Sequence, residues 1–163
     1  MMQCRFFPLV LAIAAPVAAQ TEAVGVYGQW GSFEQKTPRS CYAIAAPERA
    51  RRDLGWKPFA SVAYWPERRI RAQLHVRLSR EKRPGSAVLL RIDDRTFQLI
   101  ASKIDAWAPN AAADAEIVTA LRTGVDMRIE TRTTSGTLMR DSYSLRGAAT
   151  AIDAAAIACT RRG

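Results

Sequence analysis

The chain has a single histidine, His75, among its 163 residues. That excludes multi-histidine metal sites and leaves histidine-dependent triads only one candidate. No glycine-rich phosphate loop, Cys-x-x-Cys pair or Gly-x-Ser-x-Gly elbow occurs. Nucleotide binding, dithiol redox chemistry and α/β-hydrolase catalysis therefore have no motif to rest on, and the sequence implies neither a cofactor nor a metal. Cysteine is scarce, confined to Cys4, Cys41 and Cys159. The apolar run Phe6 to Val17 is about twelve residues long and is broken by Pro8 and Pro16, against the roughly twenty that a membrane-spanning helix needs.

What that run does resemble is a secretory signal. Arg5 is the only charge before Glu22, and Val17-Ala18-Ala19 places small residues where a signal peptidase requires them. Residues 1–19 read as a cleavable signal peptide cut between Ala19 and Gln20, leaving residues 20–163 as one domain with no transmembrane span. The expected address is periplasmic or secreted, with outer-membrane association open. Cys4 comes too early to be a lipid-modified cysteine after such a cut. In an oxidising compartment the remaining pair, Cys41 and Cys159, is expected to form a disulfide, the alternative being two separately buried thiols.

The net charge of +9 is regional. Residues 36–83 hold 13 Lys and Arg against 4 Asp and Glu, whereas residues 84–163 hold 10 against 9. The basic candidates are Arg49, Arg51 and Arg52, then Arg68, Arg69 and Arg71, then Arg77, Arg80, Lys82 and Arg83. On one face they would attract lipopolysaccharide, anionic lipid or another polyanion. Dispersed, they are the solvated surface of an arginine-rich protein. Export puts cytoplasmic nucleic acid out of reach and leaves an envelope or host protein as a further kind of partner. Oligomeric state is open.

The pattern along the chain is mainly β. Strand composition recurs at Tyr27 to Phe33, Ser40 to Ala45, Phe59 to Trp65, Ala87 to Ile92 and Arg95 to Ile100, with Asp93-Asp94 as a tight turn. From Arg69 to Leu78 the alternation predicts Ile70, Ala72, Leu74, Val76 and Leu78 on a dry face, and Arg69, Arg71, Gln73, His75 and Arg77 on a basic one. Pro47 to Pro58 reads as a long exposed connection. Asn110 caps a helix over 111–123 stopped at Gly124, and Thr134-Ser135-Gly136 joins two more strands. An alanine-rich helix closes the chain over 147–160, aiming Cys159 at the body. The expected architecture is an antiparallel β-sandwich or partial barrel with one internal short helix and a C-terminal helix.

Individual side chains carry little chemistry. His75 reads as surface and Asp93-Asp94 as turn residues. Trp56, among charges in the long connection, is the one aromatic that reads as a contact. A site assembled from distant carboxylates such as Asp105, Asp114 and Glu116 would be needed for an enzyme or enzyme inhibitor.

Gly28-Gln29-Trp30, Ser40-Cys41-Tyr42, Asp105-Ala106-Trp107-Ala108 and the ending Asp141-Ser142-Tyr143-Ser144-Leu145-Arg146-Gly147 with Cys159 resemble the invasion-associated locus B family of alphaproteobacteria. The likeness runs from about Gly25 to Cys159, with one departure at Ala148, where members of that family usually carry an aromatic. It implies a small secreted or envelope protein without catalytic residues, linked in pathogenic members to host-cell entry. The expectation is a non-enzymatic binding module of the envelope. The alternatives are a periplasmic enzyme or inhibitor and a purely structural component.

Overall fold

A computed structural model describes residues 20–49 and 55–160. The signal-peptide reading of residues 1–19, and Arg51 and Arg52, lie outside them. Ten antiparallel strands form one curled sheet, a half-barrel, in the order β1-β2-β3-β4-β5-β8-β7-β6-β9-β10. The strands are β1 Thr21–Tyr27, β2 Trp30–Gln35, β3 Ser40–Ala45, β4 Phe59–Trp65, β5 Ile70–Arg77, β6 Val88–Ile92, β7 Arg95–Ala101, β8 Asp105–Trp107, β9 Asp126–Arg132 and β10 Leu138–Ser144. Two helices, α1 Ala111–Thr123 and α2 Ala148–Thr160, accompany them. Of the two architectures expected, this is the partial barrel.

Alternation explains the core. Ala43, Val62, Leu74, Val76, Leu90 and Ile129 point inward with almost no exposure, and the helices cover them with Ile117, Leu121, Ala151 and Ile152. Alanine dominates the buried face of α2, at Ala148, Ala151, Ala155 and Ala158. Small side chains let the helix approach the sheet closely. Ala148, the departure from the family pattern, is itself fully buried.

Helix α1 begins where the sequence places it, with the Asn110 side chain accepting from the Ala113 amide. It also repairs the sheet. β8 pairs only His75 to Arg77 of β5, leaving the preceding amides of β5 without a strand on that side. Asp114 of α1 takes the place of one, accepting from Leu74 N at 2.7 Å.

Three expectations need correction. The strand expected over Tyr27 to Phe33 is two strands meeting at a turn, because Gly28 takes a left-handed φ of 59°, and the polar lead-in forms β1. The alternation of β5 does not extend back to Arg69. The register steps from Ala63↔Gln73 to Trp65↔Ile70, so Arg71 and Ala72 together oppose Tyr64 in a bulge. Ile70 falls in register with Trp65 and not with the row of Leu74. The connection before β4 is exposed only in part, since Pro47 and Pro58 are buried and Trp56 is half-buried. The Asp93-Asp94 turn is present, with Asp93 at φ 50° and its carboxylate accepting from Val125 N and Asp126 N.

Buried carboxylates give the fold a pH dependence. Asp141 accepts from the amide of Ser79 at 2.9 Å and from its hydroxyl, and burial outweighs these bonds, raising its pKa above the ordinary Asp value. An acid whose pKa is raised by folding holds its proton more tightly in the native state. Its contribution to stability therefore falls as pH rises through the window between the unfolded and the raised value, and grows on acidification. Asp141→Asn removes this term. The unfolding free energy of the unaltered protein minus that of the variant should grow as pH is lowered through that window in urea titrations. A constant or shrinking difference would contradict this account of Asp141.

Candidate functional site

With the core on the concave side, the outward side chains of the central strands fall on the convex one. Phe59, Arg77 and Asp105 form one row across β4, β5 and β8 there, and Ser61, His75 and Trp107 the next. The His75 ring stacks on Trp107 with centroids 5.1 Å apart and an interplanar angle of 8°, and meets Phe59 edge-on at 5.0 Å. Asp105 Oδ1 accepts from His75 Nε2 at 2.8 Å and from Arg77 Nε at 3.0 Å. The Arg77 guanidinium lies 5.2 Å from the Phe59 centroid. His75 is thus wedged among partners, where the sequence reads it as ordinary surface. Alternation places His75 and Arg77 on one face, but the third member, Asp105, sits on a three-residue strand too short to stand out as a pattern.

Trp56 joins this surface. Its Nε1 donates to Leu78 O at 2.8 Å, leaving the ring face as what it can offer. With Val26, Phe33, Ile44, Phe59 and Arg77 it lines an open groove of about 780 Å³. Val26 is 75% exposed, so the groove has an apolar rim beside a cation.

The remaining basic candidates go elsewhere. Arg69 and Arg71 line a second open groove, of about 670 Å³, together with Tyr64, Ile70 and Cys159. Arg68 lies over the Trp65 ring at 5.1 Å. Arg49 is exposed at the border of the undescribed stretch. The structure therefore joins Trp56 with Arg77 and Arg69 with Arg71, but gathers no single face from the whole set. Asp105, Asp114 and Glu116 do not converge either: Asp105 is on the convex face, Asp114 is buried under β5, and Glu116 is exposed. Among the described residues no three His, Cys, Asp or Glu side chains are grouped as a metal site would need.

The sulfurs of Cys41 and Cys159 are bonded, with Cα atoms 5.6 Å apart, tying the last turn of α2 to β3. On the far flank the sheet is held by a seam. Gln29 N donates to Arg146 O at 3.0 Å, and Trp30 Nε1 to Ser144 O at 3.0 Å. Together these features define a small disulfide-tied β half-barrel with both helices on its concave side and an aromatic, arginine-edged outer face.

That fold has a solved counterpart, invasion associated protein B from Bartonella henselae. It matches at a TM-score of 0.63 with 13% sequence identity, over 88% of this chain and 100% of that one. At this identity the likeness is one of fold. The sequence matches no family model and no curated protein.

Proposed function

We propose that the chain is an exported envelope protein of the invasion-associated locus B kind, one that works by binding and not by catalysis. Its partner is an anionic component of the envelope, such as lipopolysaccharide or anionic phospholipid. The observation that carries this reading is the set of strand arginines, Arg77, Arg91, Arg128, Arg132 and Arg140, on the outer face of a sheet whose other face is packed by its own helices. Export rests on the amino-terminal sequence and on the Cys41–Cys159 disulfide, which suits an oxidising compartment.

The test uses the protein in the form in which it accumulates in the cell. It should start at Gln20, carry no free thiol, and sediment with vesicles containing an anionic phospholipid at low salt. Raising the salt to a few tenths molar should reduce retention about tenfold through screening. Equal retention on neutral vesicles, or retention indifferent to salt, would overturn the reading. The groove of Trp56, Phe59 and Arg77 favours a second partner class, a protein or glycan that packs on aromatic rings beside a cation. Trp56→Ala should then deplete that partner from pull-downs and leave vesicle retention unchanged.

A further inference from the structure

The convex face of β6, β9 and β10 carries a basic surface that the near-balance of charge after residue 84 conceals. Strand register puts Leu89, Glu130 and Arg140 in one row, Arg91, Arg128 and Ser142 in the next, and Arg132 beside Leu138. Four arginines thus share this face with two carboxylates, Glu130 among them and Asp126 at the far end of β9. Arg91 and Arg128 are direct cross-strand neighbours, a like-charge pairing that is unfavourable in a sheet unless something uses it.

Glu130 organises the group. Its Oε2 accepts from Arg91 Nε and its Oε1 from Arg140 Nε, both at 2.9 Å, with Arg128 Nη1 3.9 Å from Oε1. Burial by itself raises the pKa of Glu130, but the bonds and charges of Arg91 and Arg140 outweigh it and hold the carboxyl below its ordinary value. Anchoring through Nε leaves the outer edge of the Arg140 guanidinium without a partner among the described residues. A planar fork fixed in this way is preorganised for a phosphate oxygen pair.

We propose that this face docks on the phosphate-bearing surface of an anionic lipid bilayer. The apolar residues decide between a bilayer and other phosphates. Leu138 is 49% exposed beside Arg132, and Leu89 lies across from Glu130, forming with Ala87 a shallow furrow next to the guanidiniums. Outward positions on these three strands hold no aromatic ring, so stacking with nucleic-acid bases has nothing to use. Glu48, Asp93 and Asp126 line a cleft at the Arg91 and Arg128 end, which leaves the basic surface running from there toward Arg132. This inference rests on the proposed reading of an anion-binding envelope protein and gives that reading an address.

The experiment measures sedimentation of the protein, in its accumulated form, with vesicles of phosphatidylglycerol mixed into phosphatidylcholine. Arg128→Glu with Arg140→Glu should reduce partitioning more than about tenfold, given the contribution of each basic residue near such a surface. Arg68→Glu with Arg69→Glu, the same change of charge elsewhere, should reduce it less than about threefold. Leu138→Ser should weaken binding several-fold while keeping its salt dependence. If the two double variants lose binding equally, or the Arg68 and Arg69 pair loses more, this face is not the site although the anion-binding reading stands. If the unaltered protein ignores phosphatidylglycerol, both fail. Full displacement by inorganic phosphate at matched ionic strength would point to an isolated phosphate site and overturn the bilayer.

Discussion

Replacing Cys41 and Cys159 together with alanine is expected to lower the unfolding free energy by about 4 kcal/mol, read as a lower urea midpoint with a similar slope. The bridge spans 118 residues, so removing it returns a large loop-closure entropy to the unfolded chain. Its native surroundings give no reason for that figure to shrink much. Cys41 is fully buried, and Ala155 and Ala158 of α2 pack around it. Reduction of the unaltered protein should give a comparable loss. A change below about 1 kcal/mol would show that packing of α2 alone holds the flank and that the bridge is dispensable for stability.

Gly147→Ala should be as damaging, by about 4 kcal/mol, for a different reason. Gly147 has a φ of 90°, and a Cβ there would lie 1.8 Å from Tyr27 O. Backbone strain and forced separation each contribute roughly 1–3 kcal/mol. The obstacle is main chain, which no rotamer change relieves, and it faces Gly28, whose own Cβ would lie 2.4 Å from Arg146 O. Gly136→Ala separates the two contributions. Gly136 has a φ of 83° with nothing within 4 Å of the added atom, so its loss should be only the strain, about 1 kcal/mol. Equal losses at the two positions would mean that the seam is not tightly packed.

This seam shows why the sequence was readable as a resemblance yet opaque as chemistry. Gly28-Gln29-Trp30 and Ser144-Leu145-Arg146-Gly147, more than a hundred residues apart, meet there. Ser40-Cys41-Tyr42 meets Cys159 through the disulfide. Three of the four motifs that carry the likeness thus mark where the sheet is held together, and the fourth, Asp105 to Ala108, supplies β8 and the partners of His75.

Elements with strong local signals were legible for the same kind of reason. Asn110 through its side chain and Gly124 through its amide bracket α1, and Thr134-Ser135-Gly136 turns β9 into β10. Features decided by distant contacts were not. The bulge at Arg71 and Ala72 leaves no mark on the alternation of apolar residues, so Ile70 read as core. β8 takes its place between β5 and β7 with only three residues. Glu130 and its arginines looked like balanced charge, because a count along the chain cannot tell a carboxylate that cancels a patch from one that orders it.

The disulfide also imposes an order of events. Cys41 belongs to the third strand, while its partner arrives with the last turn of the final helix. During synthesis most of the sheet must therefore emerge before either the bridge or the alanine-lined lid over β1 to β4 can form. Until then Cys41 is an unprotected thiol with no native partner to compete against wrong ones. A ribosome stalled before α2 would release a chain that can pair its early strands but can neither cover them nor cross-link them.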